Sequence, residues 1–168
     1  EPELISLLAS DPTICPHLHL PLQSGCDATL ARMRRRYTVQ RYRQTLESIA
    51  ATVPDVCLGA DVIVGFPGET DAEFEETCRF ISAVPLHYLH VFPFSPRHGT
   101  DAATMDNPVD EGTKKERAAH LRAISDSKRR SFVQQFAGTV RPAVIIYPDT
   151  VLTDNFIQVV LDQPVQDL

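Results

Sequence analysis

Asp61 immediately precedes a short apolar run, Val62-Ile63-Val64, which breaks into Gly65, Pro67 and Gly68 before a helix start at Thr70. In open α/β sheets and α/β barrels, ligands sit at the carboxyl ends of parallel strands, on the loops that follow them. An earlier strand-to-loop passage, Pro21-Leu-Gln-Ser-Gly25, delivers Gln23 and Ser24 to the same edge, and Arg35 follows within Arg32-Met-Arg-Arg-Arg36. A third strand exits into Phe92-Pro-Phe-Ser-Pro-Arg-His-Gly-Thr100. An amide, a hydroxyl, a carboxylate and guanidinium groups thus gather around glycine-rich backbone. Such a set suits a small zwitterion carrying a ribose: Asp61 for an ammonium, Arg35 for a carboxylate, Gln23 or Ser24 for sugar hydroxyls. The position of Asp61 leaves a second role open, as the partner of a structural group.

The elements that must position these groups alternate. Leu4 to Ala9 reads as the end of a helix stopped at Asp11-Pro12, and His17 to Leu22 as a short strand that Pro21 brings to an end. Thr38 opens a helix whose Val39, Tyr42, Leu46, Ile49 and Val53 form one apolar stripe, closed by Pro54. Val56 to Val64 is a second strand, followed by a capping box at Thr70-Asp-Ala-Glu73 and a helix with Phe74, Cys78 and Ile81 on its buried face. His87 to Phe92 is a third strand, and a long helix spans about Glu111 to Ala137, with Gly138 at its C-terminal cap. Val140 to Tyr147 and Phe156 to Leu161 then read as strands joined by a turn. Repeated strand–helix units predict a parallel α/β layer. Three strands do not close a barrel, so an open sheet edge and self-association through it are expected.

At 168 residues, with 43% apolar and 23% charged residues, the composition is that of a globular domain. No apolar run is long enough to span a membrane, and Glu1-Pro2-Glu3 does not resemble a signal peptide, so a cytoplasmic setting is expected. A net charge of −6 argues against a generic nucleic-acid coat, while a local basic patch remains compatible with a folded RNA. Cys15, Cys26, Cys57 and Cys78 show no CxxC or CxxxCxxC spacing, which favours burial over metal or cluster ligation. The six histidines are unclustered along the chain; His17 and His19 share a strand face, read as packing. No metal site is expected. Arg32, Arg34 and Arg36 read as a solvated or RNA-facing surface, and Lys128-Arg129-Arg130 as favouring the C-terminal dipole of its own helix, with an RNA contact as the alternative. Phe132 and Phe136 read as core.

Four motifs in order carry a resemblance: His17-Leu-His-Leu-Pro-Leu-Gln-Ser-Gly25, Met33-x-Arg-x-Tyr-Thr38, Asp61-Val-Ile-Val-Gly-Phe-Pro-Gly-Glu-Thr70 and Phe92-Pro-Phe-Ser-Pro-Arg-x-Gly-Thr100. The chain resembles the radical S-adenosylmethionine (SAM) methylthiotransferases over roughly residues 1 to 140. Leu89-His-Val-Phe-Pro-Phe-Ser95 and Ser24-Gly-Cys-Asp27 are most similar to the branch acting on threonylcarbamoyladenosine in tRNA. The resemblance implies the C-terminal half of a partial (β/α)6 TIM-like barrel over residues 1–138. It implies a β-rich tail over 139–168 like an incomplete TRAM domain. It further implies that Gln23, Arg35 and Asp61 touch SAM, with Ser24, Gly65, Phe66 and the Pro93 to Ser95 turn lining the pocket.

The implied chemistry is cleavage of SAM by a reduced 4Fe-4S cluster to an adenosyl radical, hydrogen abstraction from C2 of the base, and installation of a methylthio group there. The family's CxxxCxxC motif is absent from this sequence, so the chain by itself is expected to lack cluster ligands, catalytic residues and activity. Other readings are a radical SAM enzyme that methylthiolates a ribosomal protein or acts on porphyrinogens, and a non-catalytic binding or assembly module.

Overall fold

The computed structural model describes residues 2–164. In chain order the elements are α1 (Pro2–Ser10), β1 (His17–His19), α2 (Asp27–Arg32), α3 (Val39–Thr52), β2 (Cys57–Val64), α4 (Asp71–Ala83), β3 (Tyr88–Pro93), a 3-10 turn (Asp101–Thr104), α5 (Glu111–Gln134), β4 (Ala143–Tyr147), β5 (Thr150–Thr153) and β6 (Gln158–Val160). Strands β1, β2 and β3 form one parallel sheet in that order, and β4, β5 and β6 a separate antiparallel one.

The helices form where local chemistry favours them. Thr38 caps α3 by accepting from the Arg41 amide, and its stripe buries Tyr42, Leu46 and Ile49. At α4, Thr70 and Glu73 make the reciprocal capping box that their spacing predicts. That helix buries Thr77, Phe80 and Ile81, whereas Phe74 and Cys78 lie at the margin of the core. Asp110 caps α5 through the Thr113 amide at 2.9 Å.

Alternation along β2 divides the sheet into two faces. Leu58, Ala60, Val62 and Val64 enter a core shared with Leu46, Ile49, Ile81 and Leu121 from the helices. Gly59, Asp61 and Ile63 point to the other face, where β1 and β3 present His17, His19, Tyr88 and His90. Gly59 has a specific task there: a Cβ at this position would stand 2.1 Å from Cζ of Tyr88, whose ring lies across the strand.

The first strand is shorter than expected, ending at His19 rather than Leu22, yet the chain continues alongside β2. Leu20 donates to the Gly59 carbonyl, then Leu22 and Gln23 both donate to the Asp61 carbonyl at 3.2 and 2.8 Å. Two amides on one carbonyl mark a bulge. Gln23 occupies its tip with φ 69° and pairs with Val62. Beyond it, Ser24 and the Gly25 amide dock on the Thr77 hydroxyl of α4.

Several sequence expectations are corrected by the packing. Arg32 makes a two-pronged bond to Glu73 at 2.9 and 2.7 Å, tying α2 to α4, and is not part of a solvated arginine surface. Lys128 serves α4 instead of its own helix, donating to the Ser82 and Val84 carbonyls where α4 ends. The tail has three strands, β5 being an addition to the expected pair, and Phe156 lies in the turn between β5 and β6. Phe132 is buried as expected, with Phe136 edge-on against it.

The antiparallel sheet meets the parallel sheet and its helices through a few specific contacts. The Phe156 ring stacks on His17 at 3.7 Å between centroids, and Arg129 donates to the Phe156 carbonyl. Arg141 bridges Asp55 and Asp154 at 2.7 and 2.8 Å.

Candidate cofactor-binding cleft

At the carboxyl end of the parallel strands, on the face that the helices leave uncovered, lies a cleft of about 700 Å³. Gln23, Arg35 and Asp61 line it, with Pro93, Phe94 and Ser95 from the loop after β3. Ile63, Phe92, Arg97, Thr100 and Ala102 complete the walls. Five of the residues read as candidates from sequence, Gln23, Arg35, Asp61, Pro93 and Ser95, are therefore brought together. Its lining mixes polar and charged groups with the apolar surface of Ile63, Phe92 and Phe94.

Ser24, Gly65 and Phe66 do not line it. Ser24 is fully buried, 3.2 Å from the Thr77 hydroxyl, and holds the turn. Gly65 takes φ 71° beside the Lys114 side chain, and its amide donates to Glu69 at 2.6 Å. Phe66 is buried with its ring edge-on to Phe94 at 5.2 Å, so it backs the wall that Phe94 forms. Ile63 and Phe92 were open to prediction, because each shares strand parity with a chemistry-bearing neighbour, Asp61 and His90 respectively.

Two tyrosines hold Gln23 in place. Tyr42 donates to the Leu20 carbonyl at 2.7 Å and Tyr37 to the Leu22 carbonyl at 2.8 Å. Pro21 has no amide to offer the sheet, so these phenols secure a stretch that regular pairing leaves loose. Burial pushes both phenols above their usual range, and the Arg35 guanidinium partly offsets this at Tyr37. Beneath the loop, Glu69 and Arg117 form a buried ion pair at 2.7 Å. Burial raises the Glu69 carboxyl, against the lowering effects of the Gly65 amide and Arg117.

The histidines, unclustered along the chain, converge in space. His19 and His90 flank Asp61 on the open face, an arrangement that depends on strand register and not on local spacing. The cysteines do not converge. Cys26 and Cys57 are buried, Cys78 is half-buried and Cys15 is exposed, and among the described residues no group of them forms a ligand set. A 4Fe-4S cluster does not fit this arrangement.

A parallel α/β sheet with a mixed-charge cleft at its carboxyl edge agrees with the class that residues 1–81 match, the radical SAM superfamily. Over most of its length the chain is similar to proteins named as tRNA methylthiotransferases, in line with the resemblance carried by its four motifs. It is 38% identical over 157 residues to threonylcarbamoyladenosine tRNA methylthiotransferase MtaB of Aquifex aeolicus, covering 94% of this chain and 38% of that protein. The Bacillus subtilis protein of the same name is 44% identical over 138 residues, 82% of this chain and 31% of the relative. A tRNA-2-methylthio-N(6)-dimethylallyladenosine synthase of Coxiella burnetii is 40% identical over 152 residues, 90% and 35% of the two chains. The chain thus spans between about three-tenths and two-fifths of the length of these relatives. Among the described residues, no helix is long and apolar enough to cross a membrane.

Proposed function

We propose that this chain forms part of a radical SAM tRNA methylthiotransferase and that its cleft binds SAM. The observation that carries the reading is the meeting of Gln23, Arg35, Asp61, Pro93 and Ser95 in one cleft at the strand ends. The three parallel strands and their helices fit the C-terminal half of a partial (β/α)6 barrel over residues 1–138. The antiparallel sheet within 139–168 fits the start of a TRAM-like tail. Strands β1 and β3 are edges of their sheet among the described residues, which supports either further strands or self-association there.

Bound SAM would supply the methyl group of methylthiolation and, on one-electron reduction, the radical. The chain's own residues bind and orient it. Asp61 accepts from the ammonium, Arg35 pairs with the carboxylate, and Gln23 meets the ribose hydroxyls from its pinned bulge. Ile63 and the Phe94 wall cover apolar surface and exclude water. Cluster ligands are not assembled by the described residues, so the chain alone is inactive on this reading.

Arg97 favours the threonylcarbamoyl substrate over the dimethylallyl one. With Arg35 committed to SAM, the cleft retains a second guanidinium, and a threonyl side group carries a carboxylate that a dimethylallyl group lacks. Nucleoside digestion of tRNA from cells deleted for the gene tests the reading. Loss of the 2-methylthio form with retention of threonylcarbamoyladenosine is expected; persistence of the methylthio nucleoside overturns it. Loss of the methylthio dimethylallyl nucleoside instead overturns the substrate assignment.

A further inference from the structure

Three neighbouring strands each send one ligating side chain to the same point on the open face. His19 comes from β1, Asp61 from β2 and His90 from β3, with Asp61 and His90 directly paired in register. Asp61 Oδ1 lies 2.8 Å from His19 Nε2 and 3.4 Å from His90 Nδ1, and the three ligating atoms all fall within 4.8 Å of one another. The two imidazoles stack with centroids 4.9 Å apart.

The hydrogen bonds behind His19 determine what its Nε2 offers. Tyr88 Oη stands 2.8 Å from His17 Nε2 and 3.1 Å from His19 Nδ1. A phenol has one proton, so it donates to one imidazole and accepts from the other. The shorter contact suits O–H donation and the longer one N–H donation. With His19 donating through Nδ1–H, its Nε2 lone pair faces Asp61 Oδ1 at 2.8 Å, an approach that a proton or a metal ion held between them accounts for.

We infer that His19, Asp61 and His90 bind a divalent first-row transition cation through two imidazole nitrogens and one carboxylate oxygen, with its remaining positions open to the cleft. Ligand atoms at ~2.0–2.2 Å from such an ion, at tetrahedral or octahedral angles, stand about 3.0–3.5 Å from one another. The His19–Asp61 and Asp61–His90 separations are already close to that range. The third edge closes if His90 turns, and at 57% exposure its ring has room to do so. Mixed imidazole and carboxylate ligands select ions of this series over magnesium or calcium. Tyr88 fixes the tautomer and orientation of His19, as an outer partner does in established metal sites. The inference does not rest on the SAM reading, although both use Asp61, so cation and SAM ammonium compete for that carboxylate.

The test is titration of the full chain, thiols reduced and SAM absent, with Co²⁺ followed by visible absorption and then displaced with Zn²⁺. A single Co²⁺ per chain, without thiolate charge-transfer bands and released by Zn²⁺, is expected. His90→Ala should weaken Co²⁺ by at least about 10-fold and leave the thermal melt unchanged, since that ring is exposed. Tyr88→Phe keeps the ring but removes the hydroxyl, and should weaken binding about 10-fold through His19. No bound Co²⁺, thiolate bands in the spectrum, or equal affinity in His90→Ala each overturns the inference.

Discussion

Gly59→Ala puts the packing of the open face to a quantitative test. The added methyl would lie 2.1 Å from Tyr88 Cζ and 2.4 Å from both Cε1 and Oη, well inside contact distance. The atoms it meets belong to the far part of a side chain, so the ring moves and the strand stays. Forced overpacking of this kind costs ~1–3 kcal/mol. A displaced ring also loses its bonds to His17 and His19, each worth ~0.5–1.5 kcal/mol. Because moving the ring relieves part of the overlap, the two contributions do not simply add, and a net loss of about 2–4 kcal/mol is expected. A double-mutant cycle with Tyr88→Leu isolates the cause. Without the ring, Gly59→Ala should be neutral or stabilise by up to ~0.5–1 kcal/mol, since alanine is the better strand residue. Urea unfolding followed by circular dichroism, with matched slopes, should therefore give a coupling of roughly 2 kcal/mol or more. Costs that add to within ~0.5 kcal/mol would refute the claim that Gly59 exists to seat Tyr88.

Two further outcomes follow from buried groups. The His87 ring accepts from the Leu58 amide at 2.9 Å, and burial, with smaller effects of Lys128 and Arg129, lowers it to about 4 from 6.5. The native state thus resists a proton that the unfolded chain takes up, so stability holds above about pH 6.5, falls between 6.5 and 4, and levels off below 4. Discounted for partial exposure, the loss is about 2 kcal/mol; His87→Asn should flatten that part of a urea-midpoint profile. Arg117→Met strands the buried Glu69 carboxylate and should cost ~3–5 kcal/mol in urea unfolding, with Glu69→Gln in the same chain recovering a substantial part.

What could be read from the sequence was what repeats within a few residues. The stripe of α3, the Thr70 capping box and the alternation of strands and helices are local patterns, and each emerges in the fold. The six residues of α2 are too few for a stripe to register, and β5 is hidden between turn residues. Arg32 looked like one of three surface guanidiniums because its partner Glu73 lies 41 positions away. Site residues followed the same division. Gln23, Asp61 and the loop after β3 were legible because strand ends announce themselves through glycine and proline. Ser24 shares the parity of Leu18, Leu20 and Leu22, which directs it to the helix side. The meeting of His19, Asp61 and His90 needs the register of three strands, and no local spacing carries that.

The bulge before Gln23 also sets a rule of chain length. Between its pairing with Gly59 and its pairing with Val62, the first segment runs four steps, from His19 to Gln23, against three on β2. That surplus residue lets Leu22 remain in the core while Gln23 reaches the cleft. Removing Leu20 or Pro21 would restore even pairing and reverse the two faces, turning Leu22 outward and the Gln23 amide inward. A single deletion would then damage the interior and the site together, whereas a substitution in the same stretch alters only its own face. Length, more than residue identity, is the quantity this stretch must keep.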